Sequence, residues 1–412
     1  MKEANTFTSE NRMVKRTRLM NRIIYYLGTV SLGLFILAVI SCAKMDEIDI
    51  PDDIIDSSEA LPFVSIDAGF SHSLAIKSDG TLWGWGENFY GQLDQGADFA
   101  LKPVRIGDSY SKIAAGGSKD EYCFDGCHHH GVSLGIKTTG SLWSWGVDFF
   151  GSPNEYHVRE EIATGYIQVE ASNNGSGAYA GHFLALKADS TLWAWGVNIA
   201  GQVGDGTNDT KFEPIAIGSG YVAVSAGQSY SLALKTGGSL WAWGSNYYGE
   251  LGDGTHTYKN MPVNVGTGYV AIAAGGAHAL ALKADGKLVA WGRNNFGQLG
   301  IGNHEDKVRP VLIGTGFSAV SAGEYHSLAL KSDGTLWSWG YNIDGQLGDS
   351  TAINKNVPVL IGAGFSAISA GKDFSLALKT DGTLWAWGKN DFGQLGDGTT
   401  LNQNIPVQIG PN

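Results

Sequence analysis

Charge is scarce in this 412-residue chain: Asp, Glu, Lys and Arg make up only 17%, while 43% of residues are hydrophobic. So apolar a composition excludes an intrinsically disordered chain. Positive charge is scarcer still, with 28 basic residues against 40 acidic ones. Six of the basic residues (Lys2, Arg12, Lys15, Arg16, Arg18 and Arg22) crowd the start, where only Glu3 and Glu10 oppose them. Setting those eight aside leaves 22 basic against 38 acidic residues, a net of −16. No basic stripe remains to meet a phosphate backbone, which excludes nucleic acid as a partner. Cysteine is down to Cys42, Cys123 and Cys127. Glycine, by contrast, is abundant at 59 residues, too many for a helical protein and suited to many short strands joined by turns.

The long apolar run at residues 23–41 follows Lys15, Arg16, Arg18 and Arg22, the layout of a signal sequence. It is just long enough to cross a bilayer, so a retained anchor helix is the competing reading. Val39-Ile40-Ser41-Cys42 resembles the lipobox of bacterial lipoproteins, which implies acylation of Cys42 and removal of residues 1–41. Met13 or Met20 is an alternative start. Residues 42–62 carry Lys44, then Asp46, Glu47, Asp49, Asp52, Asp53, Asp56 and Glu59, and read as a tether. The Lys-then-acidic cluster looks like a surface-export signal, with a merely solvated linker as the bland alternative. The expected address is therefore the bacterial cell envelope, lipid-anchored at the outer membrane or cell surface.

Beyond the tether the chain repeats itself. Trp-Gly recurs at Trp85, Trp145, Trp195, Trp243, Trp291, Trp339 and Trp387, at intervals of 60, 50, 48, 48, 48 and 48 residues. All 13 tryptophans belong to this motif, with Val289 standing in the fifth unit where the partner of Trp291 would be. In the last unit four apolar stretches of strand length follow one another: Phe365–Gly371, Ser375–Lys379, Thr383–Gly388 and Ile405–Gly410. Between the second and third lies Asp381-Gly382, a hairpin signal that recurs as Asp79-Gly80, Asp285-Gly286 and Asp333-Gly334; Asp189-Ser190 is the departure. Seven units of four strands predict an all-β fold, a seven-bladed β-propeller over residues 63–410. In Leu384-Trp385-Ala386-Trp387 the two Trp side chains share one face and Leu384 and Ala386 the other, so both faces of a blade are apolar and must be covered by neighbours. Each buried Trp removes ~200 Å² from water, about 5 kcal/mol as an upper bound. An open solenoid is the rival, but it needs atypical end repeats, and these end units are as regular as the middle ones.

The pattern Gly-x-x-His-Ser-Leu-Ala-Leu-Lys-x-Asp-Gly-Thr-Leu-Trp-x-Trp-Gly-x-Asn-x-x-Gly-Gln-Leu-Gly-Asp-Gly-Thr resembles the repeat of the regulator of chromosome condensation family, over about residues 63–410. That resemblance implies the propeller fold. It also suggests a blade completed jointly by the first and last strands, although the split is not determined by the sequence. Family members include a nucleotide-exchange factor for a small GTPase, whose special loops have no match here, and a secreted inhibitor of β-lactamases that binds through aromatic loops on one rim.

Candidate chemistry is sparse. His72, His182, His278 and His326 occupy one repeat position that Tyr230 and Phe374 fill elsewhere, which points to packing and a local hydrogen bond. The Asp-Gly-Thr triplets at Asp205, Asp253 and Asp397 lack the alternating carboxylates of a calcium loop and read as turns. Blade two carries an insertion, Ser118 to His130, and lacks the Gln-Leu-Gly-Asp-Gly-Thr turn. Its Cys123 and Cys127 are expected to pair as a disulfide; the alternative is a zinc or copper site made with His128, His129 or His130. After Trp-Gly the loop follows Asn-x-x-Gly, with Asp148 for Asn in the second unit, and its variable positions hold Phe89, Tyr90, Phe149, Phe150, Tyr247, Tyr248, Phe296 and Phe392. Gathered on one rim these would dock a protein or stack on sugars; alternatively they fill gaps between blades. Neither carboxylates nor a nucleophile–base set breaking the repeat is expected outside the Cys/His loop, and no catalytic residue or cofactor is expected. The expected function is a non-enzymatic, monomeric binding scaffold for a protein or glycan, attached to the membrane through its lipid. A glycan-active enzyme using the channel, and nucleotide exchange by family analogy, are the alternatives.

Overall fold

The computed structural model describes residues 61–119, 129–147, 156–176 and 181–410. These residues form seven antiparallel sheets, which we number as blades in chain order: 63–107, 110–163, 166–218, 221–266, 269–314, 317–362 and 365–409. In the last unit the strands run Phe365–Ala370, Phe374–Lys379, Leu384–Gly388 and Gln403–Ile409, within two residues of the expected bounds. The Asp-Gly turns are built as expected, with Gly80, Gly286, Gly334 and Gly382 at φ of 81°, 76°, 78° and 81°. At the one departure, Ser190 itself takes φ 65°, a conformation costly for a residue with a Cβ.

The first strand of each blade is innermost, and the seven first strands touch one another in an unbroken circle, Phe365–Ala370 against Phe63–Ala68 included. The ring is therefore closed and no end is bare. Closure does not use a shared blade. Each blade takes its four main strands from consecutive sequence, so blade one meets blade seven face to face. Across that seam Ala68 N–H donates to Ser369 Oγ (3.0 Å) and Lys372 N–H to Gly69 O (3.1 Å). The shared-blade expectation is corrected for a simple reason. The terminal units each contain all four strands, and apolar faces of full-sized blades suffice to hold the seam.

The two tryptophans of each motif have different fates. The second of each pair, Trp85 through Trp387, is 0–1% exposed, and its indole N–H donates to the backbone carbonyl of residue Gln394, Gln92, Gln202, Glu250, Gln298 or Gln346 of the preceding blade at 2.7–2.9 Å. Blade two lacks the turn that supplies such a carbonyl, and at that interface Trp195 instead stacks on Phe183 at 5.3 Å. Phe183 stands where other blades have a serine such as Ser231 or Ser327. The first tryptophan keeps an exposed edge in Trp143, Trp193, Trp241, Trp337 and Trp385, while Trp83 of blade one is buried at 8% exposure. In each case the ring lies under the lysine that ends the second strand: Lys379 Nζ sits 3.9 Å from the centre of Trp385 and 5.4 Å from that of Phe365, and Lys187 sits 4.3 Å from Trp193 and 4.9 Å from Tyr166. A lysine stands at this position in every blade, forming a collar of cation–π stacks on the face that carries the Asp-Gly turns. Full burial of both rings, assumed from the alternation alone, thus holds for only one of the two in every pair but the first.

Blade two differs again. Its inner hairpin is longer, Tyr110–Lys119 pairing with His129–Lys137, and a fifth strand, Asn173–Ser176, joins its inner edge in parallel. That strand comes from blade three and was not foreseen.

Candidate functional site

Antiparallel order places the loops between first and second strands and those between third and fourth strands on the face opposite the lysine collar. In the six blades whose long loop lies among the described residues, that loop is hung on one asparagine. Asn342 Oδ1 accepts from Leu347 N–H (2.9 Å) while its Nδ2 donates to Asp349 Oδ1 (2.9 Å) and Thr351 O (3.1 Å). The acidic triplets close as turns: Asp205 Oδ1 accepts from Thr207 N–H at 3.0 Å, and Asp253 and Asp397 bind Thr255 and Thr399 in the same way. Their carboxylates are thereby engaged in holding the loop.

The repeat histidines sit between blades. His72, His182, His278 and His326 are 0% exposed, and each Nε2 meets a serine Oγ of the next blade, Ser133, Ser231, Ser327 or Ser375, at 2.8–3.0 Å. Burial lowers each imidazole to about 3, so the rings are neutral. Tyr230 bridges the same interface through its hydroxyl, and Phe374 fills the place without a polar bond. The packing reading of this row accounts for all six side chains.

The loop aromatics do not make one uniform ring. Tyr247 is 67% exposed and stands edge-on to Tyr248 at 4.8 Å. Phe89 and Phe392 meet across the seam at 6.3 Å, and Tyr90 stacks on His130 at 4.7 Å. Phe296 packs on Tyr325 (5.1 Å) and Tyr341 (4.9 Å). Tyr90, Tyr248, Phe296 and Phe392 are half-buried, whereas blades three and six carry Ile199 and Ile343 in these loops, both well exposed. Cys42, Cys123, Cys127, His128, Phe149 and Phe150 lie outside the described residues.

Around Phe296 the structure assembles a patch that the motif search passed over. Tyr325 and Asp373 stand in the loop after the first strand, where other blades have Ser71, Ser229 and Ala277. Arg293, Tyr341 and Lys389 stand just before the loop asparagine, where others have Val197 and Ser245. Aligning the seven units position by position, instead of searching for motifs, would have exposed these five departures in consecutive blades. The Arg293 guanidinium lies 4.6 Å from the ring centre of Tyr248 and 5.3 Å from that of Tyr325. Lys372 lies 4.0 Å from the Phe70 ring centre and 3.7 Å from Glu324, while Lys389 lies 3.4 Å from Asp391. Burial pushes Asp373 up to about 6, with Glu324 and Asp344 adding to the rise and Lys372 and Lys389 opposing it. Burial likewise raises Tyr325 and Tyr341.

A second set breaks the repeat inside the channel, correcting the expectation that no carboxylates do so. The fifth residue of the inner strand is Ser225, Ala273, Ser321 or Ser369 in four blades, but Asp67 in blade one and Glu170 in blade three. This position ties blades together: Ala274 N–H donates to Ser225 Oγ (3.0 Å) and Ala370 N–H to Ser321 Oγ (2.9 Å). Asp67 does the same more strongly, accepting from Ala115 N–H at 2.7 Å and from Ser369 Oγ at 3.1 Å. Glu170 accepts from Gln168 Nε2 at 3.1 Å. Burial pushes Asp67 up to about 6 and Glu170 up to about 8, the latter raised further by Asp67 and eased by Lys112. Both departures were hidden by a search directed at tryptophan and histidine.

Residues 164–412 match the RCC1-like domain, and residues 63–92 match the regulator of chromosome condensation (RCC1) repeat. The chain is 29% identical over 169 residues to the ultraviolet-B receptor UVR8 of Arabidopsis thaliana, covering 40% of this chain and 36% of that protein. It is 28% identical over 103 residues to the human probable E3 ubiquitin-protein ligase HERC4, covering 24% of this chain and 8% of the ligase. Both matches thus span well under half of the relative's length. Among solved structures, Prp20p of Saccharomyces cerevisiae superposes with a TM-score of 0.68 at 20% identity, over 87% of this chain and 89% of that one. Human WBSCR16 gives 0.54 at 21% identity, over 85% and 82%. At such identities the likeness concerns the fold.

Proposed function

The chain belongs to the RCC1-like domain family, and from that premise we propose that it is a non-enzymatic scaffold that docks a protein partner on the loop face of blades four to seven. The observation that carries this reading is the patch in which Arg293, Tyr325 and Tyr341, at positions that other blades fill with residues such as Val197, Ser245, Ser71 and Ser229, gather beside the loop aromatics Tyr248 and Phe296. Aromatic residues and arginine are the side chains that dominate docking energetics at protein interfaces. Prp20p, of similar fold, has been described with binding to Gsp1p and histones, and bound to Kap60. The full chain, detergent-solubilised and used as bait on solubilised envelope, should capture a partner that Arg293→Glu releases. Capture unchanged by that substitution would remove the patch from consideration.

We place the protein at the cell envelope through lipid on Cys42. Intact-mass measurement of the mature protein should show residues 1–41 removed and an acylated N-terminal cysteine; a Cys42→Ala chain should leave the membrane fraction.

A glycan-active channel is the second reading, favoured by Asp67 and Glu170. We rank it lower because both carboxylates are already engaged: Asp67 bridges inner strands through Ala115 and Ser369, and Glu170 holds Gln168 of its own strand, whose Nε2 also donates to Val224 O of the next blade.

A further inference from the structure

Asp373 differs from the other charged groups of the loop-face patch. Lys372 is matched by Glu324 and Lys389 by Asp391, at 3.7 and 3.4 Å. Arg293 is cradled by two tyrosine rings. The Asp373 carboxylate is largely enclosed by protein and has no hydrogen bond or ion pair among the described residues; only its backbone carbonyl is used, by Lys389 N–H at 2.9 Å. A recessed carboxylate without donors is costly to keep charged, and its need is met by a cation that brings its own hydrogen-bond donors. The side chains around it suit one kind of cation. Phe296, Tyr325 and Tyr341 form a triangle with ring centres 4.9–6.3 Å apart, and the Tyr325 loop is tied to that of Asp373 by Glu324 N–H donating to Lys372 O at 3.2 Å. A planar guanidinium can stack on such rings while forking onto a carboxylate, which an ammonium cannot do as well. The patch already shows this in Arg293, whose guanidinium lies over Tyr248 and Tyr325.

Resting on the docking reading above, we propose that Asp373 receives one arginine side chain of the partner protein, stacked against Tyr325 and Tyr341. The surrounding charges permit it. Glu324, Asp344, Asp373 and Asp391 outnumber Lys372, Lys389 and Arg293 by one, and the chain beyond residue 42 carries a net of −16 that draws in a basic segment.

The test uses N-acetyl-arginine amide as probe and N-acetyl-citrulline amide as its neutral isostere, titrated into the solubilised full chain by saturation-transfer NMR. The arginine amide should bind and the citrulline amide should not; Asp373→Asn should weaken arginine binding at least tenfold without shifting the melting temperature by more than a few degrees. Equal binding of both probes to the natural chain, or an unchanged affinity in Asp373→Asn, overturns the proposal. Partner capture separates the two levels. Capture lost in Arg293→Glu but retained in full by Asp373→Asn leaves the docking face standing and removes the arginine. Capture indifferent to Arg293→Glu removes the docking face itself, whatever the probe does.

Discussion

Replacing the two channel carboxylates by their neutral isosteres, Asp67→Asn with Glu170→Gln, should flatten the dependence of stability on pH. Both groups have folded values above their unfolded ones, about 6 against 3.8 and about 8 against 4.5. The folded protein therefore holds protons that the unfolded chain has already released, and stability falls as pH rises from about 4 through 8. Below the unfolded values no such loss exists. At about 1.4 kcal/mol per pKa unit the two shifts bound the effect at roughly 8 kcal/mol. The side chains keep some contact with channel water, and part of each shift is their shared repulsion, so on the order of 4 kcal/mol is the working figure. A folded unit of roughly 350 residues unfolds with an entropy of about 0.7 kcal/mol per kelvin, so that figure corresponds to about 5 °C. About 70% of the two shifts lies above pH 5, so thermal melts of the natural chain should drop by about 4 °C more between pH 5 and pH 8.5 than those of the double variant. The isosteres keep a carbonyl oxygen for Ala115 N–H and Gln168 Nε2, so these bonds survive. Asp373, also raised, is present in both proteins and cancels. Parallel melting curves across that pH range would refute the reasoning, because they would mean that neither group resists ionisation in the ring.

The two tryptophans of a motif should respond unequally. Trp339→Ala removes a fully buried ring and its bond to Gln298 O, and should cost ~3–5 kcal/mol in chemical denaturation, whereas Trp337→Ala, whose ring keeps an exposed edge under Lys331, should cost less than half as much. His278→Phe should cost no more than about 1 kcal/mol by the same measurement, since Phe374 occupies the equivalent place in blade seven and Ser327 Oγ still donates to Gln298 O; a larger loss would mean the imidazole does more than pack. Gly300→Val should be strongly destabilising, for Gly300 has φ 70° and its added Cβ would lie 2.8 Å from Trp339 Nε1; a neutral melt would contradict the close approach of loop and indole.

Much of the molecule was legible in the chain itself because a repeat multiplies each weak local signal by seven. Strand lengths, Asp-Gly turns, the number of blades and the structural use of the histidine row all follow from residues that recur at fixed spacing. Departures from the repeat were harder to read, since a search for shared residues suppresses them. Tyr325, Asp373, Arg293, Tyr341 and Lys389 each look unremarkable in their own unit, and Asp67 and Glu170 resemble ordinary polar strand residues.

By itself, then, the sequence determined what each unit is: a four-stranded sheet apolar on both faces, which has no stable existence outside a closed ring. Only the tertiary structure decided how the ring closes, without a shared blade, and which of two alternating tryptophans is buried. It also decided which non-repeating side chains meet. The physical reason is that pattern along a strand specifies the face a side chain takes, whereas burial and charge depend on the neighbouring blade, whose approach is set by packing across hundreds of residues of chain.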